Sequence, residues 1–309
     1  MNISVILSTY NRPQDLERVL WGYAVQTERD FELLVADDGS TVDTADAIRR
    51  VQSDSGLRVR HVWHSDVGFR KTEILNRAIV VSSGDYLLFS DGDCIPRRDL
   101  IATHAALAER GRYLAGGYLK LPEDVSRSIT VEDVRSGRVA DLSWLRARGW
   151  RPGRRALRLT RSRRFAALCD LLTPTAAVFQ GNNASVWRDA LYEVNGFEGE
   201  MGYGGLDKAL GYRLANHGVK GKQIRHRAVC LHLHHERPYR DRAGMGRNRE
   251  ILKRLRHSDE VRARRGIAEL ETDPSLTVDG RPAGIRQRDA GRVTLSRPQR
   301  EGVPNGREA

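Results

Sequence analysis

The sequence predicts an α/β fold, a mainly parallel sheet flanked by helices. Two observations carry that prediction. Over the first hundred of the 309 residues, short apolar runs alternate with helical patterns, a spacing that means βαβ units with right-handed crossovers. Each run also ends in a polar cluster, and open parallel sheets bind ligands beyond the carboxyl ends of their strands.

The elements follow in order. Residues 3–9 form a β-branched run. Arg12 and Pro13 then open a helix, with Asp15 and Glu17 in its first turn, as the fixed φ of proline and the helix dipole favour. Residues 31–35 are a second run, ending in Asp37-Asp38-Gly39-Ser40. A helix over about 42–52, a run over 59–63 and a helix over about 70–82 come next. Residues 86–89 lead into Asp91-Gly92-Asp93. The stretch 122–175 loses the alternation. From Gln180 the pattern tightens again: Gly181-Asn182-Asn183, a helix near 188–194, then Gly202-Tyr203-Gly204-Gly205-Leu206-Asp207 opening a helix to about Asn216. A strand over roughly 224–231 should lead into His232-Leu233-His234-His235. Residues 241–270 read as a helical segment. Residues 271–309 lack aromatics and are rich in Gly, Pro and Arg, so a disordered tail is expected.

Composition bounds the function. No apolar run approaches a membrane span, and the N-terminus lacks the basic region of a signal peptide. Three scattered cysteines, at 94, 169 and 230, give neither a disulfide framework nor zinc spacing. A reducing, cytoplasmic setting is expected. The net charge is +12, but residues 1–100 hold 12 Lys and Arg against 16 Asp and Glu. The basic excess lies in the remainder, and residues 146–164 contain nine Arg and no acid. Arg151, Arg154, Arg155, Arg158 and Arg161 recur at helical spacing, which would suit either a solvated face or a helix lying on an anionic membrane surface. Nucleic acid is not an expected partner, since no aromatic platform or binding motif accompanies the charge.

Asp91 and Asp93 point most directly to chemistry. On an extended chain two such residues share a side, and Gly92 lets the backbone approach a ligand. Paired carboxylates suit a hard cation, Mg²⁺ or Mn²⁺, with a diphosphate completing its shell. Asp-Gly-Asp is also a turn sequence.

These segments together, Ser8-Thr9-Tyr10-Asn11-Arg12, Ala36 to Ser40, Gly68-Phe69-Arg70-Lys71, Asn76-Arg77-Ala78 and Asp91-Gly92-Asp93, resemble the family 2 glycosyltransferases. The stretch from Asn195 through Asp207 to Leu214 resembles the galactosyltransferase-like C-terminal half of such enzymes. The resemblance implies a GT-A, Rossmann-like fold with a C-terminal acceptor-side extension. Residues 1–120 become a nucleotide-sugar-binding half, 121–175 an Arg-rich insertion and 176–240 an acceptor and catalytic half. The implied function is metal-dependent, inverting transfer of a hexosyl group from a UDP-type donor to a glycan, lipid-linked or other cell-surface saccharide. That acceptor would bring a cytoplasmic enzyme to the inner membrane face.

The resemblance also implies roles. Thr9, Tyr10, Arg12 and Asp38 would bind the nucleoside side of the donor, with Asp38 otherwise read as an Asx-turn or helix cap. Lys71 would face the diphosphate, Asp91 the ribose or a metal-bound water, and Asn182 the donor sugar. Asp93, His235 and His232 would hold Mn²⁺ or Mg²⁺. Histidines three apart on one strand point to opposite faces, so both ligate only if the chain bends. Asp207 is the implied base, at a helix start that favours its ionised form, and Tyr203, Gly204 and Gly205 would meet the acceptor. Leu206 stands where the family usually has Glu. The alternative is therefore a catalytically weak nucleotide-sugar-binding or assembly protein.

Overall fold

Four apolar runs become four parallel strands. The computed structural model describes residues 1–151, 153–236, 242–288 and 292–296. β1 (Ile3–Thr9), α1 (Pro13–Ala24), β2 (Glu32–Asp37), α2 (Val42–Ser55), β3 (Val59–Trp63), α3 (Lys71–Val81) and β4 (Tyr86–Asp91) come first. Their strands lie in the order β3-β2-β1-β4, all parallel. Next are β5 (Cys94–Pro96), α4 (Leu100–Leu107), β6 (Arg112–Ala115) and β7 (Gly117–Lys120). The middle folds as short helices, α5 (Glu123–Ser128), α6 (Val131–Arg135), α7 (Leu142–Ala147) and α8 (Arg163–Leu172). β8 (Asn183–Trp187), α9 (Arg188–Glu193), α10 (Leu206–Asn216), β9 (Lys220–Gln223), β10 (Val229–His232) and α11 (Arg242–Arg256) follow. β11 (Thr277–Val278) and β12 (Arg281–Pro282) precede a hairpin of β13 (Gly284–Arg288) and β14 (Arg292–Ser296).

The main sheet runs β12-β11-β3-β2-β1-β4-β8-β6-β9. Both faces of its centre are covered, which is why its strands are apolar at nearly every position rather than at alternate ones. Val5, Leu7, Leu33, Val35 and Leu88 pack on one side with α1 and α2. Ile6, Leu34, Ala36, Leu87 and Phe89 pack on the other with α3 and Phe197. Each fully buried Leu or Phe contributes about 1.5–3 kcal/mol. The register sets Thr9 opposite Asp37, Asp37 opposite Trp63 and Ser8 opposite Asp91. The polar strand ends therefore share one edge.

A smaller sheet, β5-β10-β7, stands beside that edge. β10 sets His232 opposite Cys94 and beside Lys120, and the Leu233 N–H donates to the Asp93 carbonyl at 2.9 Å.

Four expectations differ from the structure. The helical segment over 241–270 stops at Arg256, the end of α11, and residues 257–270 are irregular. The strand expected over 224–231 begins only at Val229 as β10, because residues 225–228 turn around the Asp170 carboxylate, which accepts from the His226 N–H at 2.8 Å and from Arg227 Nε at 2.7 Å. The Arg-rich spacing over 151–161 gives a 3-10 stretch, Gly153–Leu159, rather than an α-helix. Arg158 points inward there and donates to the Tyr118 carbonyl at 2.6 Å. Residues 271–283 are not disordered: Leu276 is buried, and β11 pairs with Val62 and Trp63 of β3. Residues 297–309 of the expected tail and 237–241 lie outside the described residues.

Candidate active site

A cleft of about 600 Å³ opens at the carboxyl edge of the sheet. It is lined by every predicted site residue, namely Thr9, Tyr10, Arg12, Asp38, Lys71, Asp91, Asp93, Asn182, Tyr203, Gly204, Gly205, Asp207, His232 and His235. Asp93 and Asp207, more than a hundred residues apart, thus face one space.

Asp91 and Asp93 do not share an extended segment. β4 ends at Asp91, and the chain turns through Gly92, whose N–H donates to the Ser8 carbonyl at 2.8 Å. The turn sends the two carboxylates to different partners. Asp93 faces two histidines, with His235 Nε2 at 3.1 Å and His232 Nε2 at 3.9 Å. The chain leaves β10 at His232, so the two rings stack with centroids 5.3 Å apart. Each ring commits Nδ1–H to a carbonyl, His232 to Leu233 at 2.7 Å and His235 to Glu236 at 2.8 Å. Both Nε2 atoms are thereby turned toward the carboxylate. Arg12 holds this segment by donating to the Glu236 carbonyl at 2.9 Å. Burial pushes His235 below the ordinary imidazole value, with the Asp93 charge opposing it. A carboxylate and two imidazole Nε2 edges form a donor set that suits Mn²⁺ better than Mg²⁺. Cys94 Sγ lies within 4.8 Å of the same Asp93 and His232 donor atoms. Burial, then the Asp93 and Asp91 charges, raise its thiol well above the usual range, and Sγ–H donates to Asp93 at 3.4 Å.

Asp91 accepts from Lys71 Nζ at 2.8 Å and from Ser8 Oγ at 2.6 Å. Burial alone would raise its carboxyl, but Lys71, Ser8 and His232 outweigh burial and hold it below the usual range. Lys71 is raised in turn: burial opposes the charge, while Asp91, Asp207 and Asp93 favour it. The ammonium expected on the diphosphate, at the start of α3, is also the counter-ion of Asp91.

Asp207 sits in the first turn of α10, after Gly204 and Gly205, whose φ angles are +104° and +85°. It accepts from the Gly181 N–H. A Cβ on Gly181 would lie 2.7 Å from Asp207 Oδ1, so only glycine permits this approach. Oδ1 is buried and has no hydrogen-bond partner. Burial raises the Asp207 carboxyl above the ordinary value, Lys71 opposes this and Asp91 adds to it. A buried, unpartnered carboxylate oxygen in a cleft is a strong acceptor for a ligand hydroxyl. The Asn182 Oδ1 is likewise buried and unpartnered, whereas Asn183 is structural and donates to the Gly117 and Ala228 carbonyls.

Asp37, not Asp38, makes the turn after β2, accepting from the Ser40 N–H at 2.8 Å. Asp38 instead accepts from the Arg70 N–H at 3.0 Å and faces His64 Nε2 at 2.8 Å. Arg77 Nη1 lies 2.8 Å from His64 Nδ1. A guanidinium only donates, so Nδ1 accepts and Nε2–H points at Asp38. Arg77 is itself held by Glu73 and Asp273. Nearby, the Tyr10 hydroxyl donates to Asp66 at 2.7 Å.

Sequence reasoning missed His64, Arg77 and Asn248. The last donates from α11 to the Gly202, Tyr203 and Gly204 carbonyls at 2.9, 3.1 and 2.8 Å, fixing the loop before Asp207. An isolated Asn on a polar helix carries no signal of that role. Arg77 lies inside the Asn76-Arg77-Ala78 segment and His64 directly follows the run over 59–63, but neither pattern reveals that the two side chains meet.

Comparison with known proteins places the chain in a family. The profile described as "Glycosyl transferase family 2" matches residues 4–166, more than half of the chain. The chain belongs to glycosyl transferase family 2. As a family 2 member it is 32% identical over 232 residues to validoxylamine A glucosyltransferase of Streptomyces hygroscopicus subsp. jinggangensis, covering 70% of this chain and 52% of that protein. It is 24% identical over 246 residues to chondroitin synthase of Escherichia coli, covering 72% of this chain and 33% of the other. The chain thus spans about half, or less, of these relatives. The fold is shared with S. aureus TarS 1-349 in complex with UDP, at a TM-score of 0.53 and 15% identity over 82% of this chain and 64% of that one. It is also shared with the mannosyltransferase PcManGT from Pyrobaculum calidifontis in complex with GDP-Man and Mn²⁺, at 0.51 and 21% identity over 77% and 58%. These GT-A neighbours match the sheet topology expected from the sequence.

Proposed function

We propose that this family 2 chain is an inverting hexosyltransferase that takes a nucleotide sugar, with UDP as the expected carrier, and transfers the sugar to a saccharide hydroxyl. The observation that carries the reading is one cleft lined by Asp93, His235 and Asp207 together with the Lys71–Asp91 ion pair.

The roles follow from the chemistry of each group. Tyr10, Asp38 and Asp66 form the polar end of the nucleoside pocket, and Asp38 retains lone pairs for a base or ribose donor. Asn182 offers its unpartnered oxygen to the donor sugar. Asp93, His235 and His232 would hold a divalent cation, whose chemistry is to neutralise charge gathering on the departing diphosphate. Asp207 accepts the proton of the acceptor hydroxyl as that oxygen attacks the anomeric carbon. The bond to the diphosphate breaks on the opposite face, and the configuration inverts. Lys71 keeps Asp91 and Asp207 compatible in one small volume. Leu206, 5% exposed, belongs to the wall of the cleft, so sugar selection falls to other residues than a Glu at this position.

Thermal shift of the full chain with UDP-glucose, UDP-galactose, UDP-N-acetylglucosamine and GDP-mannose, with and without Mn²⁺, tests the reading. A true donor at about a hundred times its Kd adds about 2.7 kcal/mol of stability. The expected result is a Mn²⁺-dependent rise for one donor that Asp93→Asn removes. No rise for any donor would refute it.

A further inference from the structure

α8 is built inside out. A surface helix normally turns its large apolar residues inward. Here the inward positions are Ala166 and Asp170, while Phe165, Leu168, Leu171 and Leu172 are 42%, 48%, 81% and 69% exposed. The spacing of 165, 168 and 172 puts three of them on one stripe, with 171 beside it. The helix is nonetheless firmly placed. Asp170 accepts from the His226 N–H at 2.8 Å and from Arg227 Nε at 2.7 Å, and it lies 3.0 Å from His226 Nδ1. Ser162 caps the other end by accepting from the Phe165 N–H at 3.3 Å. A helix pinned by its polar side presents its apolar side outward by construction.

The surroundings of this stripe are cationic. Arg154, Arg155, Arg163 and Arg164 are exposed, and no Asp or Glu occurs from 142 to 169. Exposed leucines rimmed by arginine have the composition of an interfacial helix on anionic lipid. A second copy of the chain is a poorer occupant: a two-fold interface uses the same patch twice, which would bring one arginine-rich rim against another. A short path joins the helix to the cleft. Leu172 is six residues before Val178, which lines it, a reach of at most about 21 Å.

We infer that the α8 stripe inserts into the headgroup region of an anionic bilayer while the flanking arginines bind lipid phosphates. If the glycosyl-transfer reading holds, the cleft then opens beside the membrane, where a lipid-linked acceptor would be presented. Vesicle binding itself requires no donor and no turnover, so it can fail or succeed apart from that reading.

Co-sedimentation of the full chain with phosphatidylglycerol-containing vesicles, against pure phosphatidylcholine vesicles, at low and high salt, tests the inference. Binding to the anionic vesicles that weakens with salt is expected. Leu171→Glu with Leu172→Glu should lower the partition coefficient at least about tenfold without lowering Tm, since both side chains are exposed. Arg163→Ala with Arg164→Ala should lower it and flatten the salt dependence. Absence of vesicle binding, or binding indifferent to both double variants, overturns the inference. So does a dimer in sedimentation velocity that the leucine variant dissolves while vesicles bind neither form.

Discussion

Asp207→Asn is the substitution that separates catalysis from binding. Asparagine has the same shape and keeps a carbonyl oxygen for the Gly181 N–H, and Gly181 itself is unchanged, so the close approach there is preserved. What changes is the proton affinity of a side chain that lines the cleft. Oδ1 has no protein partner, so no compensating contact is lost. A positioned general base contributes about 10²–10⁴-fold, or about 3–5 kcal/mol of barrier. The donor pocket lies at the ends of β1 and β2 and should be untouched. The assay is nucleoside diphosphate release with Mn²⁺ and the donor selected by thermal shift, with saccharide acceptors or water as the receiving hydroxyl. The expected outcome is release reduced by at least about a hundredfold, with the donor-induced shift in Tm retained. Because burial raises the Asp207 carboxyl, kcat/KM of the parent should begin to fall, as pH drops, at a higher pH than an ordinary Asp would give. Turnover of the Asn variant within threefold of the parent would refute the assignment of the base.

Two further outcomes rest on buried groups away from the reacting atoms. His104 is buried between Ser185 and Asn183 and is lowered to about 4, mainly by burial. Its folded value lies below the unfolded 6.5, so stability is full above pH 6.5 and falls between 6.5 and 4 by about 3 kcal/mol; His104→Gln should remove that part of the slope in urea titrations, and an unchanged slope would count against it. His64→Phe strips Asp38 and Arg77 of a shared partner, and should lower stability by about 2–4 kcal/mol and raise the donor KM with kcat within a few-fold. A rise in KM without loss of stability would mean the chain of contacts is not structural.

Much of the fold was legible because it is local. β1 and β3 keep the expected bounds, and Pro13 starts α1 as its fixed φ requires. Strand ends carrying polar clusters on one edge follow from parallel pairing alone. What failed depended on distant partners. Asp170 bends the chain before β10, β3 recruits residues 277–278, and Arg158 turns inward to Tyr118. The histidines of 232 and 235 face one carboxylate because the strand stops between them, which no periodicity reveals. Lys71 was read as a diphosphate contact from its position, and the charges of Asp91, Asp207 and Asp93 around it, brought in from other segments, are not visible in that position.

Asp273 deserves a temporal reading. Its carboxylate, held down to about 2 by burial-opposing contacts from Ser275, Arg77 and Arg70, touches the Arg77 that orients His64 behind Asp38. During synthesis the first hundred residues emerge long before residue 273, so the pocket beside Asp38 must wait, half-braced, for a segment much further along the chain. A nascent chain arrested before Asp273 would have strands β1 to β4 but a slack pocket, which couples residues 1–100 to a segment made much later.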